Sequence, residues 1–523
     1  MALGVSELVA AFVPGARSLL IAVGDMVIDL VPGWLERAVI ATFGTADKPV
    51  LIFSILLVLT GIGMWAGMLA RTRMSRGAGI VIVIAVVGTV AALFDPQAST
   101  AGALAGGIAY AAAGVLSLSA LLWAARRDGR IAEEAQRERV RRASIPGAPA
   151  AGTAAANHPG PGTATRRNFI AVATIATTTA GLTGMIGRRL LDDERINVIR
   201  RRIRIPRPAR PAPAAPAAAR LGVSGVSGVS GVTPLYMPNA GFYRIDTALI
   251  PPQVDPARWS LKIKGLVDRP LRFSYDELMA MPHIEADITL VCVSNYVGGD
   301  LIGNARWQGV SLRALLERAG VQQGATQIVG RAIDDFTTGF PTRHALNSDD
   351  AMVALAMNGE PLPIVHGFPA RLVVPGLYGY VSATKWLAEI ELTRWEDFNA
   401  YWVPRGWAKE APVKTQSRID VPRSGTSLKA GRQPVAGVAW APTRGIQRVE
   451  VRIDNGPWQQ ADLAAAINSD TWRQWILPWD ATPGAHTISV RATDGEGATQ
   501  TAVRSALQPN GSTGHHTIKV VAR

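Results

Sequence analysis

The chain opens with long apolar runs and closes with short alternating ones. Residues 49–70 are nearly free of charge. Roughly 22 residues at about 1.5 Å each span about 33 Å, the hydrocarbon thickness of a bilayer. Residues 77–93 and 101–124 read the same way, so three membrane-spanning helices are predicted. Residues 7–31 form a weaker apolar segment that carries Arg17, Asp25 and Asp29. A further apolar run covers residues 169–186.

The second half changes period. Trp259-Ser-Leu-Lys-Ile-Lys-Gly265 alternates apolar and polar positions and predicts a strand. Ser274-Tyr-Asp-Glu277 is a capping box that opens a short helix. Ile288-Thr-Leu-Val-Cys-Val293 reads as a buried strand ending in a loop at Ser294. Ser311 caps a helix that places Leu312, Leu315, Leu316 and Ala319 on one face and stops at Gly320. Arg371-Leu-Val-Val374 and Trp386-Leu-Ala-Glu-Ile-Glu-Leu392 are further strands, so this part is α+β. From about Lys414 the pattern is all-β. Short alternating strands at Ala436–Trp440, Val449–Ile453, Trp472–Ile476 and His486–Arg491 are punctuated by Asn455-Gly456 and Pro483-Gly484. An immunoglobulin-like sandwich is expected there.

Between these halves the composition shifts. Residues 144–165 are rich in Ala, Pro and Gly and read as a disordered loop. Residues 206–219 are Pro/Ala-rich, and a Gly-Val-Ser repeat follows at 222–232. These predict a stiff spacer and then a flexible one, holding the next domain away from the bilayer. The expected organisation is that of a multi-domain membrane protein. Residues 1–125 hold transmembrane helices, three strong and one weak, and 126–165 a cytoplasmic loop. Residues 166–188 are an anchor and 189–233 a linker. Residues 234–411 form the α+β domain and 412–523 the immunoglobulin-like one.

Charge decides orientation and excludes one class of partner. Lys and Arg number 54 against 40 Asp and Glu, a net charge of +14. Much of the excess lies beside the apolar runs, which fits positive-inside flanking and not a nucleic-acid groove. Arg71, Arg73 and Arg76 follow the first strong span, and Arg126, Arg127 and Arg130 follow the third. Those loops are therefore placed in the cytoplasm. Parity then leaves two options, an N-terminus that starts outside or a weak segment 7–31 that crosses as well, and crossing is expected. Thr165-Arg166-Arg167-Asn168-Phe169-Ile170 resembles a twin-arginine export signal, which serves a domain that folds around a cofactor before it crosses. Arg188-Arg189 follow the run without a small-residue cleavage site, so an uncleaved anchor is expected.

The single cysteine, Cys292, excludes an intrachain disulfide and any cysteine-based zinc or iron–sulfur cluster. All seven histidines lie outside the proposed spans, and no CxxCH is present. Neither a transmembrane bis-histidine haem nor a c-type haem is expected, and a separate electron-transfer partner, a quinone or a haem protein, is implied. A lone cysteine is most often a small buried hydrophobe. Here it ends a buried strand before Ser294-Asn295 and Gly298-Gly299, where glycine lets a bulky ligand approach. A thiolate is a soft ligand that holds a metal when a cofactor supplies the remaining donors.

Four motifs in order carry a resemblance over residues 236–523. They are Thr289-Leu-Val-Cys-Val-Ser-Asn295, Ile302-Gly-Asn-Ala-Arg-Trp-Gln-Gly-Val310, His366-Gly-Phe-Pro-Ala-Arg-Leu-Val-Val-Pro-Gly376 and Ser382-Ala-Thr-Lys-Trp-Leu387. Together the region resembles the sulfite oxidase family of molybdopterin enzymes. The resemblance implies a molybdenum and molybdopterin cofactor with Cys292 as the protein ligand of the metal. It implies that His366 and Arg371 hold the pterin and its phosphate, which a planar guanidinium suits by donating twice. Ser382, Thr384 and Lys385 would bind the cofactor from the next loop. Asn295 would do so beside the cysteine, and Tyr243 and Arg244 where Phe242-Tyr243-Arg244 wraps the pterin. Arg244 and Tyr401 are also implied as active-site residues, and packing against Trp402 is the other reading of Tyr401. Arg306 reads as a structural ion pair. The C-terminal domain is similar to one that mediates dimerisation, implying a homodimer. Tyr296-Val297 stand where sulfite oxidases of this family carry arginines that neutralise an anionic substrate, a departure that counts against sulfite. The expected substrate is a small oxyanion or a sulfoxide. The activity implied is oxygen-atom transfer outside the cytoplasmic membrane. Methionine sulfoxide-type reduction with a separate haem partner, or a non-catalytic anchored binding module, are the alternatives.

Overall fold

The computed structural model describes residues 1–13, 15–32, 35, 39, 42–43, 47–143, 194–221 and 229–523. The twin-arginine motif, the apolar run 169–186 and most of the Gly-Val-Ser repeat lie outside the described residues. The chain divides into two units. One is Met1–Glu194 with Ala248–Ile250, and the other is Arg195–Thr247 with Pro251–Arg523.

The first unit is helical: α1 (Ala2–Phe12), α2 (Leu19–Leu30), α3 (Asp47–Thr72), α4 (Met74–Phe94) and α5 (Thr100–Ala143). Among the described residues, three helical stretches are long and apolar enough to cross a membrane: Asp47–Thr72, Met74–Phe94 and Thr100–Ala124. Phe53, Val83, Ile108 and Leu116 on these stretches point outward and are each more than half exposed. Such a surface suits lipid and not water. Contacts between the helices use small residues, with Leu19, Ala22, Ala85, Ala92 and Ala103 in one cluster. The weaker segment departs from expectation. Gly15 at φ +75 separates α1 from α2, which have 11 and 12 residues. Neither reaches the roughly 20 residues that a crossing helix needs.

The second unit begins with α6 (Glu194–Arg202). Its α+β part holds β1 (Ser260–Gly265), β2 (Leu271–Ser274), α7 (Tyr275–Ala280), β3 (His283–Val291), β4 (Ile302–Ser311), α8 (Leu312–Ala319), β5 (Gln327–Ala332), β6 (Thr337–Pro341), β7 (Met352–Met357), β8 (Glu360–Pro361), β9 (Arg371–Val373) and β10 (Leu387–Thr393). One sheet has the order β2-β1-β10-β5-β6, and the other β3-β4-β7-β8 with β9 on β7. The capping box is present in full, with Ser274 accepting from Glu277 N and the Glu277 side chain accepting in return. Ser311 caps α8, and Gly320 at φ +71 ends it. The buried strand runs farther back than expected, to His283, because its whole length pairs with β4 from Val310 to Ile302.

The Pro/Ala-rich stretch is a correction to the spacer reading. It lies on the second unit. Ala209 N donates to His283 O at 2.8 Å, Glu285 N to Arg210 O at 2.8 Å and Gln308 Nε2 to Pro206 O at 2.6 Å. Strand β3 is an edge of its sheet, and its outward backbone groups need partners. An extended chain supplies them even where proline removes its own donors.

The C-terminal part holds β11 (Gln416–Val421), β12 (Ser427–Leu428), β13 (Gly431–Trp440), β14 (Ile446–Ile453), β15 (Trp458–Gln460), β16 (Asp462–Leu463), β17 (Arg473–Ala481), β18 (Gly484–Asp494) and β19 (His516–Ala522). Two sheets, β11-β13-β17-β16 and β12-β19-β18-β14-β15, enclose one core of Val435, Val449, Trp475, Val490 and Ile518 among others. Val438, Trp440 and Trp472 instead join the core of the α+β part, so the two parts share buried surface.

Ser274→Ala removes the cap of α7, a loss of about 1 kcal/mol. Amide exchange over residues 275–280 should quicken roughly fivefold, while α8 keeps its rate. Hydrogen–deuterium exchange on the purified chain reads both.

Candidate active site

Strand β3 ends at Val291 and delivers Cys292 into a cleft of about 760 Å³, counting its solvent-open part. Phe242, Tyr243, Ile245, Asp246, Cys292, Asp334, Phe336, Arg371, Tyr380, Lys385, Trp386 and Trp402 all contribute to its wall. Four residues singled out from the sequence therefore meet there, namely Tyr243, Cys292, Arg371 and Lys385. Tyr243, Cys292 and Arg371 come from well-separated segments of the chain, whereas Lys385 follows Arg371 after a short helix, Gly379–Ser382.

Arg371 opens β9 and is buried. Its Nη1 donates to His366 O at 3.1 Å and its Cζ lies 5.0 Å above the Trp307 ring. It has no carboxylate partner among the described residues. Burial pushes its pKa down to about 10. A buried guanidinium held only by carbonyls and a ring face is an expensive arrangement. An anion in the cleft would offset that cost, and a phosphate has the geometry for paired donation.

Lys385 is buried beside it. Its Nζ donates to Asp246 Oδ2 at 2.8 Å and to Val365 O at 3.1 Å, and burial pushes its pKa down to about 8. Asp246 also accepts from Arg244 Nε at 2.9 Å. Arg244 is exposed and stands outside the wall, reaching the site through Asp246. Gly367 adopts φ +109, and a Cβ there would sit 3.0 Å from Lys385 Cα, so this turn requires glycine. Trp386 follows at φ +47, tethered by Nε1 donating to Ile364 O at 2.8 Å. That is strained backbone in the wall of the cleft.

The Cys292 Sγ accepts from Ser294 N at 3.4 Å. Burial pushes its thiol pKa up, and the Ser294 N–H and Lys385 pull the other way. A bound metal cation would favour the thiolate. Burial also raises the Tyr243 hydroxyl, so it keeps its proton. Its neighbour Phe242 lies on β4 where Gly303 leaves room, 5.7 Å from Trp307 and 5.5 Å from His366.

His366 is buried behind Phe242 and is not part of the wall. Its Nε2 faces Asn239 O at 2.9 Å and so carries the proton. Burial pushes its pKa down to about 4. Its carbonyl positions Arg371.

Four other expected residues do not reach the cleft. The Ser382 hydroxyl is fully buried and donates to Tyr378 O, one turn back in its own short helix. Thr384 is fully buried and pairs with the Thr338 hydroxyl at 2.7 Å. Asn295 accepts from Leu301 N at 3.0 Å and ties off the loop after Cys292, while its buried Nδ2 has no hydrogen-bond partner. Tyr401 packs edge-on to Trp402 at 5.2 Å, with the Arg405 guanidinium 3.7 Å over its ring. Trp402 takes the place in the wall instead. Arg306 pairs with Asp287 at 2.8 Å as a structural bridge.

Asp246, Asp334, Phe336 and Tyr380 had no signal that singled them out, whereas Trp386 lies inside the fourth motif and Trp402 beside Tyr401. Asp246 lies two positions after Arg244, the spacing that puts extended residues on one side. Asp334 sits in the turn between β5 and β6, and burial pushes it up to about 6.

Residues 248–402 match the family model for the oxidoreductase molybdopterin binding domain. Over 163 residues the chain is 35% identical to the uncharacterized oxidoreductase YuiH of Bacillus subtilis (strain 168), covering 31% of this chain and 79% of that protein. The chain belongs to the molybdopterin-binding oxidoreductase family. It is 29% identical over 286 residues to the mitochondrial sulfite oxidase of Homo sapiens, covering 46% of this chain and 52% of that one. It thus spans about half the length of the human sulfite oxidase it matches. The sulfane dehydrogenase SoxCD of Paracoccus pantotrophus superposes with a TM-score of 0.49 at 22% identity, covering 56% of this chain and 86% of that chain. As a family member of the sulfite oxidase type, this chain is a molybdenum cofactor-dependent oxidoreductase. Arg371, a buried cation, and Cys292, a buried thiol, both line the cleft within the stretch that the family model matches.

Two buried imidazoles give the fold a pH limit. His366 and His516 both fall from 6.5 to about 4 on burial. Between those values the unfolded chain binds protons at these two positions that the folded chain does not, so their contribution to stability falls as pH drops from 6.5 toward 4, against an opposite contribution from Asp334 and Asp470, which burial raises to about 6. His366→Gln removes one of the two imidazoles, so the variant should lose less stability than wild type between pH 6.5 and 4; thermal unfolding of both purified chains across that range reads the difference.

Proposed function

We propose that this molybdenum oxidoreductase is anchored in a membrane and performs oxygen-atom transfer on a small substrate outside the cytoplasmic membrane. The observation that carries the reading is the meeting of the chain's only cysteine with buried, unneutralised Arg371 in one cleft. In this reading Cys292 is the protein ligand of molybdenum. When bound, the cofactor supplies two-electron oxygen-atom transfer.

The chain's own residues bind, orient and exclude water. Arg371 and Lys385 receive the anionic part of the cofactor. Tyr243 offers a hydroxyl that stays protonated and so can donate. His366 acts through its carbonyl on Arg371, and Arg244 through Asp246 on Lys385. Ser382, Thr384 and Asn295 hold the loops behind these groups. Phe336, Tyr380, Trp386 and Trp402 form an apolar wall that keeps water from the reacting end. Tyr401 supports Trp402.

Three long apolar helices and the arginines between them support an anchored protein with its loops at residues 71–76 and after 126 inside. The twin-arginine motif supports export of the folded soluble unit. A quinone or haem protein then takes or supplies electrons. The two-sheet C-terminal part, read as immunoglobulin-like, would join two copies. Sulfoxide reduction is the second reading. It is favoured by Tyr296, which is 60% exposed in the loop where an oxyanion site would need cations.

Two variants test the proposal. Cys292→Ser should lower bound molybdenum and activity toward both sulfite and sulfoxides at least about a hundredfold while circular dichroism is unchanged; retained turnover would refute the ligand role. Replacing Arg166 and Arg167 with lysine should leave the soluble unit inside spheroplasts, protected from added protease. Digestion at the wild-type rate would refute the export route.

A further inference from the structure

The ten-residue stretch from Cys292 to Leu301 joins β3 to β4 without regular secondary structure. It closes partly on itself. Cys292 N donates to Leu301 O at 2.9 Å, Asn295 N to Cys292 O at 3.1 Å and Gly299 N to Tyr296 O at 2.8 Å. Two of its remaining carbonyls are taken from far along the chain. Ser512 Oγ donates to Asn295 O at 3.0 Å, and Arg418 Nη1 donates to Gly299 O at 2.7 Å.

Both donors are themselves fixed. Ser512 is buried, and its own carbonyl accepts from Gln416 Nε2 at 2.7 Å. Arg418 is held by Asp420 Oδ1 at 2.6 Å and by Thr233 Oγ1 at 2.6 Å. Between the two contacts the His516 ring lies against Gly298, where a Cβ would come 2.3 Å from the ring. The His516 Nδ1 accepts from Ile419 N at 3.0 Å, which locks the ring on β11.

We infer that the C-terminal β part positions Cys292, with Ser512 and Arg418 as positioning residues for the loop that carries it. A metal ligand must be held to within about 0.5 Å, and a loop with only local bonds does not provide that. Ser512 and Arg418 supply the missing restraint from a rigid two-sheet body. The inference rests on Cys292 being the metal ligand.

The test uses the full chain purified with its cofactor. Ser512→Ala removes one bond. Arg418→Lys keeps the charge beside Asp420 but shortens the reach to Gly299. In each, amide exchange over residues 293–300 should quicken about tenfold, while residues 283–291 and 302–311 keep their rates. Molybdenum retained through dialysis should fall in both, and Ser512→Thr should restore both readouts. Wild-type exchange in the loop would overturn the inference. So would equal acceleration in β3 and β4, which is general loosening, or a faster loop with undiminished molybdenum. If the wild-type chain binds no molybdenum, the ligand reading of Cys292 fails, and the exchange rates still decide whether the loop is braced.

Discussion

A buried positive charge without a carboxylate partner among the described residues organises this molecule. Arg371 sits in the wall of the cleft, where it donates to the carbonyls of His366 and Leu372 and lies over the face of Trp307. Leaving such a charge uncompensated costs several kcal/mol, so the surrounding packing has to hold it in place. The surroundings do that. Strand β9 fixes its backbone against β7, Gly367 lets the preceding turn close against Lys385, and Trp386 accepts a left-handed backbone to complete the wall.

The thiol side of the cleft is organised differently. Arg371 is fixed by sheet and core, whereas Cys292 stands on a loop whose support comes from another part of the chain. The two parts are joined through Trp472, which donates to Leu235 O at 2.9 Å and whose backbone N donates to Thr289 Oγ1 at 2.9 Å. Thr289 lies three residues before the cysteine. The C-terminal sheets therefore grip the same strand that delivers Cys292, and the two parts behave as one unit.

Legibility in the sequence followed the range of the interaction. The capping box at Ser274 and the helix from Ser311 to Gly320 were readable because each is closed within a few residues. The alternating strands after Lys414 were readable for the same reason. The division of residues 7–31 into two short helices falls at Pro14-Gly15, a local break that the apolar character of the segment as a whole did not reveal. The docking of the Pro/Ala stretch was hidden because its composition says how stiff it is and nothing about the free edge of β3 that receives it. Among the site residues, Cys292, Arg371, Lys385 and Tyr243 did reach the cleft. Ser382 and Thr384 carry suitable hydroxyls, but the nearer Tyr378 carbonyl and Thr338 hydroxyl take them. Trp402, not Tyr401, reaches the cleft, because Arg405 and Phe336 hold the tyrosine ring to one side.

The sequence by itself determined the apolar helices, the α+β and all-β parts, the single soft donor and the motifs that mark a molybdopterin enzyme. All of these are properties of residue type and short spacing. The tertiary structure alone decided which of the marked residues share a cleft, that Asp246 links Arg244 to Lys385, and that the loop of Cys292 leans on Ser512 and Arg418. Those pairings span up to 217 positions, as for Ser512 and Asn295. No local pattern records them, because they follow from how sheets and cores meet after the chain has folded.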